Sequence, residues 1–232
     1  MKNKYYVVCV FVILLLFFLF TTVEAQRLDV RVQGFGGISG GSTDDDEKTG
    51  ELGFSGGGGL AFTYYFLKSG RFRLGTTTGL DFMYLTYKSE TNTIPPAPAS
   101  TLASDTSYSY LVVPLTLRGS FRLNDRLTLN LDAGPFIGLF LGGKSKNRYD
   151  PETPPFVNGE EDLNEDTTEK RDIGLRLNAS LEMPFRKNLW FSPGILFDLG
   201  FSDTSKDQPI VSPSKDTFWK LGAYVALVHN LF

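Results

Sequence analysis

The chain contains very few histidine and cysteine side chains, two types that carry much catalytic and metal chemistry. Its 232 residues include one histidine, His229, and one cysteine, Cys9. Zinc sites and cysteine–histidine catalysis need several such groups close together. His229 lies near the end of the sequence, and we expect it to have a structural role rather than to act as a general base. We therefore predict no catalytic residue, no metal site, no cofactor and no enzymatic activity.

Two acidic runs could supply oxygen ligands to calcium. One is Asp44 to Glu47, and the other is the acidic segment between Asp150 and Glu169. Neither has the alternating spacing of an EF-hand loop, so we interpret both as solvated loops. Gly56 to Gly59 resembles a phosphate-binding loop only in composition, because no helix pattern follows it. Packing or strand curvature explains these glycines better.

The chemistry that the sequence does predict is a network of buried charges. Charged residues alternate with apolar ones along several segments, which places them on one face of a strand. Both signs occur, and unpaired buried charges would be costly, so we expect ion pairs and hydrogen bonds. The predicted members of this interior network are Arg73, Asp81, Arg118, Asp132, Arg176, Glu182 and Asp198. Such a network could line a narrow polar pore or fill a non-conducting core, and we expect the filled core.

The first 25 residues have the pattern of a secretory signal peptide. A positive N-terminal region precedes an apolar stretch from Tyr5 to Phe20, and Val23-Glu24-Ala25 places small residues where signal peptidase reads them. We predict cleavage before Gln26, which leaves residues 26–232 as one domain. An uncleaved helical anchor is the alternative, but the apolar run is short for a span of about 20 residues.

Alternation of apolar and polar residues with a period of two organises the mature sequence. From Leu127 to Leu139, for example, every second residue is apolar. Most such segments exceed the roughly 5–6 residues of a soluble strand and suffice to cross a bilayer, which takes about 9–11 tilted residues. They cover residues 27–38, 50–67, 71–88, 107–123, 127–143, 170–184, 189–202 and 215–232. Because lipid offers no hydrogen-bond partners, the sheet has to close. The predicted fold class is all-β, an eight-stranded antiparallel up-and-down transmembrane β-barrel.

The connections between these segments alternate in length. Tight turns are predicted at residues 68–70, 124–126 and 185–188. Long polar loops are predicted at residues 41–49, 89–106, 144–169 and 203–214. Short periplasmic turns that alternate with longer outer loops are typical of membrane barrels, whereas a soluble β-sandwich, the minor alternative, does not require alternation. An even number of strands then places both termini in the periplasm and the long loops outside the cell.

Some features of the predicted strands are irregular. Pro114, Pro135 and Pro193 lie inside strands, where each removes a backbone donor, and we interpret them as bulge positions.

Aromatic residues near strand ends are expected to face outwards as interfacial girdles. They are Tyr64, Phe66, Phe72, Tyr84, Phe140, Phe201 and Phe218. Both faces of the last strand are apolar, so its facing stays open. Phe232 is expected to face lipid and to belong to the signal that the barrel-assembly machinery reads.

The overall composition is compatible with this fold. A hydrophobic content of 41% is too low for a bundle of membrane helices. It suits a barrel, because only every second residue of a barrel strand faces lipid. A net charge of −3 and an isoelectric point near 5.3 argue against nucleic acid as a partner.

Three segments carry motifs that are shared with known membrane proteins. Tyr110 to Leu115 places a Pro-Leu pair before the basic Arg118. Asp132 to Gly138 contains Ala-Gly-Pro followed by an aromatic residue, and Asp172 to Leu175 opens the next strand. In these motifs the chain resembles the PorT-like outer-membrane β-barrel family of Bacteroidota envelopes, and the resemblance covers the whole mature chain. It implies the barrel fold and the outer membrane, but no single activity.

The expected function is a structural or partner-binding role in the cell envelope. A narrow pore or a small-solute-binding barrel is one alternative. An accessory role in protein secretion, suggested by the family resemblance, is another. The expected partners are outer-membrane lipid, the barrel-assembly machinery and other envelope proteins.

Overall fold

The computed structural model describes residues 27–43, 48–92, 101–150, 158–163, 171–202 and 216–231. These residues form ten β-strands. In chain order they are β1 (Arg27–Thr43), β2 (Lys48–Glu51), β3 (Gly53–Ser69), β4 (Phe72–Asn92), β5 (Thr101–Asn124), β6 (Leu127–Asp150), β7 (Gly159–Leu163), β8 (Arg171–Arg186), β9 (Leu189–Gly200) and β10 (Asp216–Asn230). Within these ranges, no helix is long and apolar enough to cross a membrane.

The eight long strands close into one antiparallel barrel. Each long strand pairs with the next, and β1 pairs with both β3 and β10, so the sheet closes on itself. When cross-strand partners are followed from strand to strand once round the barrel, a path that starts at Leu28 returns to β1 at Ile38. The two residues are ten positions apart, and this number is the stagger of the barrel. Eight strands with this stagger tilt by about 40°, and side chains just fill their interior. The predicted eight-stranded barrel is confirmed.

Alternation along the strands separates an apolar outer surface from a polar lumen. On β8, Ile173 and Phe185 face outwards, whereas Asp172, Arg176 and Glu182 are buried inside. A strand tilted by about 40° advances roughly 2.5 Å per residue along the barrel axis. The outward apolar positions from Ile173 to Phe185 therefore span about 30 Å, the thickness of a hydrocarbon core. We call the belt of such outward apolar residues around the barrel the apolar band.

The two ends of the barrel differ from each other, as the alternating lengths of the connections predict. The tight turns, the start of β1 and the end of β10 lie at one end, which we call the turn end. At the opposite end, the loop end, β4, β5 and β6 continue beyond the apolar band. There β2 pairs with β4, and β7 pairs with β6. We call β2, β7 and residues 86–92, 101–109 and 142–150 the loop-end ribbon.

The loop-end ribbon corrects the predicted loop boundaries. Residues 89–92, 101–106 and 144–150 were predicted as loop, but they form strand. These stretches are polar on both faces, so they lack the alternation that marks a half-buried strand. Their backbone pairing continues a hairpin that the membrane-spanning part has already aligned.

The prolines inside the strands do not create bulges, and that prediction is wrong. The register shifts lie elsewhere, between Tyr65 and Leu67, Ser109 and Tyr110, Arg122 and Asn124, and Pro184 and Arg186. Around Pro114, Pro135 and Pro193 the ladder is interrupted on one side but keeps its register. A missing donor removes one ladder bond without requiring an extra residue. At Pro114, the Thr78 hydroxyl donates to the proline carbonyl at 2.9 Å.

The four consecutive glycines of β3 allow its neighbours to approach closely. A Cβ atom on Gly57 would lie 2.1 Å from the carbonyl oxygen of Phe82. One on Gly59 would lie 2.2 Å from the carbonyl oxygen of Leu80. The run is therefore explained by strand packing between β3 and β4, and it lies within a strand rather than in a ligand-binding turn.

The last strand turns one of its two apolar faces to the lumen. Tyr224, Ala226 and Val228 are buried inside the barrel. Leu221 and Val225 are exposed on the outer surface. The structure thus shows which face of β10 points into the lumen, a question that the sequence left open. Lys220 lies on the same inward face as Tyr224.

Candidate functional site

At the turn end of the lumen, Arg27 joins two buried carboxylates. Its Nε donates to Asp29 Oδ1 at 2.6 Å, and one terminal nitrogen donates to Glu182 Oε1 at 3.3 Å. Glu182 also accepts from the Asn130 amide at 3.4 Å, and Asn130 accepts from the Ser120 hydroxyl at 2.6 Å. These bonds link β1, β5, β6 and β8 across the interior.

In the middle of the lumen, Arg118 and Asp132 form a two-bond ion pair. Arg118 donates from Nε to Asp132 Oδ1 and from a terminal nitrogen to Oδ2, at 2.6 Å each. Buried Arg31 donates to Thr63 at 2.9 Å, and the Thr77 hydroxyl connects Thr63 to Asp132. Among the described residues, no carboxylate lies within ion-pair distance of Arg31, and its Nε lacks a hydrogen-bond partner. This layer therefore holds two cations and one anion.

Nearer the loop end, Arg176 lies between two aspartates. It donates to both carboxylate oxygens of Asp198, at 2.8 and 2.9 Å, and to Asp81. The Lys220 ammonium lies 2.8 Å from Asp198, and the Gln33 amide donates to Asp81 at 2.8 Å. Two cations and two carboxylates balance in this layer, which is the arrangement that makes buried charges tolerable.

Aromatic side chains close the lumen above these charges. Phe140 packs against Tyr110 with ring centres 5.8 Å apart, and Phe218 lies 5.2 Å from Tyr108 and 5.6 Å from Tyr87. We call these five residues the aromatic cap. Phe140 and Phe218 were expected to face outwards, which is wrong. Each lies on the inward face of its strand, and here the lumen is filled by rings instead of charges.

Little space is left between the charged layers. A cavity of about 20 Å³ is lined by Arg31, Thr77, Asp132, Arg176 and Tyr224, among others. A volume of this size holds about one water molecule. The charged layers and the aromatic cap together fill the described part of the lumen.

All seven residues predicted for the interior network point into the lumen. Six of them take part in the ion pairs and hydrogen bonds described above: Asp81, Arg118, Asp132, Arg176, Glu182 and Asp198. Arg73 is half-buried near the turn end instead, with its guanidinium 4.8 Å from the centre of the Tyr65 ring.

Four charged members of the network were missed by sequence reasoning. Arg27, Asp29 and Arg31 alternate with apolar residues along β1, and this pattern could have identified them. Lys220 gave no such signal, because both faces of β10 are apolar.

The outward face of the loop-end ribbon carries charged residues of both signs. One cross-strand row consists of Lys88, Asp105, Lys146 and Glu160, and the adjacent row consists of Thr86, Ser107, Lys144 and Asp162. Lys144 Nζ lies 2.9 Å from Glu160 and 3.7 Å from Asp162. Its hydrogen bond and charge lower the pKa of Glu160, and Glu160 in turn raises the pKa of Lys144.

The remaining residues that could carry chemistry are dispersed. His229 is exposed on the outer surface of β10 at the turn end. Residues 1–26, Asp44 to Glu47, most of the second acidic run and Phe232 lie outside the described residues. In the described part of the chain, no group of three or more His, Cys, Asp or Glu side chains could hold a metal ion.

A closed barrel with an apolar outer band and a polar lumen is the architecture of integral outer membrane proteins. The family model described as outer membrane protein beta-barrel domain matches residues 24–206. The chain belongs to this outer membrane β-barrel family. Membership indicates the outer membrane as its location. The PorT-like assignment, the signal peptide and the orientation of the termini stay predictions.

Several solved outer membrane barrels are similar to this family member. Ail, the attachment invasion locus protein of Yersinia pestis, is 14% identical over 86% of this chain and 98% of its own, with a TM-score of 0.35. Neisserial surface protein A is 14% identical over 85% and 96%, with a TM-score of 0.39. The outer membrane protease OmpT from Escherichia coli is 7% identical over 90% and 98%, with a TM-score of 0.48. No curated protein matches the chain. These likenesses are too distant to transfer an activity.

Proposed function

We propose that this outer membrane barrel has a structural or partner-binding role in the cell envelope and no catalytic activity. The observation that carries the proposal is the filled lumen. Three layers of charged side chains cross it, the aromatic cap lies above them, and the cavity between them is only about 20 Å³. A barrel filled in this way acts through its outer surfaces rather than by passing solutes.

The loop-end ribbon is the surface that we propose for partner contact. From Leu141, an outward apolar residue, β6 continues nine residues to Asp150. At roughly 2.5 Å per residue along the axis, this is about 22 Å, which exceeds the headgroup layer. In our proposal both termini are periplasmic, so the ribbon projects outside the cell.

Photo-crosslinking in intact cells tests this proposal. A photoreactive amino acid at Ala103, in the ribbon, should form discrete adducts with another envelope protein. The same amino acid at Leu115, in the apolar band, is the matched control and should react with lipid alone. Absence of discrete adducts at Ala103 and at Ser107, in correctly folded barrels, would overturn the partner-binding role.

A narrow pore or a small-solute-binding barrel is the second candidate. The observation in its favour is the charged lumen, in particular Arg31 without a carboxylate partner among the described residues. If this function holds, neutralising Asp132 or Arg176 should change ion conductance or solute affinity. Unchanged values in both variants would reject it.

A further inference from the structure

Three lysines of the loop-end ribbon lie at or just above the level of lipid headgroups. On β6 the outward apolar side chains end at Leu141, and Lys144 follows three residues later. With about 2.5 Å of axial advance per residue, Lys144 lies roughly 7 Å beyond the apolar band. A headgroup layer is about 5–8 Å thick on each side of the hydrocarbon core. By the same measure Lys146 lies roughly 12 Å beyond Leu141 and Lys88 roughly 10 Å beyond Tyr84, just above the headgroup layer. Their long, flexible side chains can reach back to it.

These lysines surround a concave site rather than a flat surface. A concavity of about 330 Å³ is lined by Tyr84, Thr86, Tyr87, Lys88, Asp105, Thr106, Ser107, Lys144 and Lys146. Three lysines and one aspartate line it, and the carboxylates of Glu160 and Asp162 lie against two of these lysines. The hydroxyl groups of Thr86 and Ser107 lie on the outward face between the lysines. Thr86 donates to the Phe54 carbonyl at 3.2 Å and Ser107 to the Lys144 carbonyl at 3.3 Å, so each would have to rotate its single O–H to donate to a ligand.

We propose that this concavity binds the phosphate of a lipid headgroup in the leaflet at the loop end. Ammonium and hydroxyl donors are the groups that bind phosphate oxygens in proteins. Tyr84, half-exposed below the site, provides an interfacial aromatic surface for the lipid's glycerol or sugar region. The inference rests on membrane insertion and does not depend on the partner-binding role proposed above. With the proposed orientation, the leaflet is the outer one.

The carboxylates of β7 compete with this phosphate for the lysines. Lys144 and Lys146 both lie near Glu160, at 2.9 and 3.4 Å. Exposed ion pairs of this kind contribute little to stability, so a phosphate with two charges can displace the carboxylate. Removing Glu160 should therefore strengthen headgroup binding. If these ion pairs served only to hold β7 in place, loss of either partner would loosen the ribbon. Removing Glu160 would then weaken headgroup binding instead of strengthening it.

Native mass spectrometry of the folded mature barrel can measure this binding. The probes are dioleoyl phosphatidic acid, with an exposed phosphate, and dioleoyl phosphatidylcholine, whose phosphate is masked by a cation. Each lysine near an anionic lipid contributes about fivefold in affinity, so K144Q/K146Q should weaken phosphatidic acid binding by on the order of twentyfold. K68Q, at an exposed lysine of the turn end, is the matched control and should bind as the wild type does.

Four outcomes decide the proposal. Weaker binding by K144Q/K146Q with stronger binding by E160Q supports it. Equal phosphatidic acid affinity in the wild type and K144Q/K146Q overturns it, as does weakening by E160Q. Full competition by inorganic phosphate at equal concentration also overturns it, because the site would then bind free phosphate rather than a lipid. Heat-modifiable migration of each variant on a gel shows that the barrel is folded.

Discussion

Removing the Asp132 carboxylate should strongly destabilise the barrel. Asp132→Ala leaves the guanidinium of Arg118 buried without the two hydrogen bonds of 2.6 Å that it now makes. It also removes the carboxylate that Arg31 reaches through Thr63 and Thr77. Charge-assisted hydrogen bonds contribute about 1.5–3 kcal/mol each, and breaking a buried pair costs about 3–5 kcal/mol. We expect a loss of about 3–5 kcal/mol in the free energy of unfolding.

Urea unfolding in lipid vesicles, followed by the fluorescence of Trp190 and Trp219, measures this loss. A double-mutant cycle with Arg118→Met provides the control. The double variant should lose less than D132A alone, because it leaves one buried cation fewer. A loss below about 1 kcal/mol for D132A, the size seen for surface pairs, would refute the reasoning and show a hydrated lumen.

Three further predictions follow from the packing and the loop-end charges. Phe140→Ala should cost about 3–5 kcal/mol in urea unfolding yet leave planar bilayers without ion conductance, because the charged layers still fill the lumen. Gly134→Ala should cost about 1–3 kcal/mol, since its Cβ would lie 2.3 Å from a carbonyl oxygen of β5, whereas Gly119→Ala, with nothing closer than 3.5 Å, should change unfolding by less than about 0.5 kcal/mol. Glu160 has a lowered pKa in the folded barrel, so its lysine pairs stabilise β7 above the unfolded pKa of about 4.3 and are lost as the pH falls through the folded pKa. Amide exchange of β7, corrected for intrinsic rates, should therefore show less protection at pH 3 than at pH 6.

The membrane-spanning part of the fold could be predicted from the sequence because lipid imposes a strict pattern on it. Along β8, outward apolar residues alternate with Arg176 and Glu182, and the turns at Gly70 and Asn188 are short. No such constraint acts beyond the apolar band. The strand pairing of residues 101–106 with 144–150 depends on backbone hydrogen bonds between polar segments, which leave no trace in hydropathy.

The partners within the lumen could be predicted only in part. Alternation shows that Asp132 faces inwards, but it does not show that Arg118 is its partner, because that depends on the register between β5 and β6. Lys220 was missed for a similar reason. Its inward facing follows from the pairing of β10 with β1 and β9, and both faces of that strand are apolar. The prediction of a bulge at Pro114 was wrong because a missing backbone N–H donor was taken to imply an extra residue in the strand.

Ion conductance of the refolded mature barrel in planar bilayers tests the central claim most directly. The charged layers and the aromatic cap occupy the described lumen, and the cavity between the layers holds about one water molecule, so we expect no path for hydrated ions. The wild-type barrel, shown to be folded by heat-modifiable migration, should therefore give no conductance steps above the lipid background. Reproducible single-channel steps from such protein would contradict a filled lumen and favour the pore.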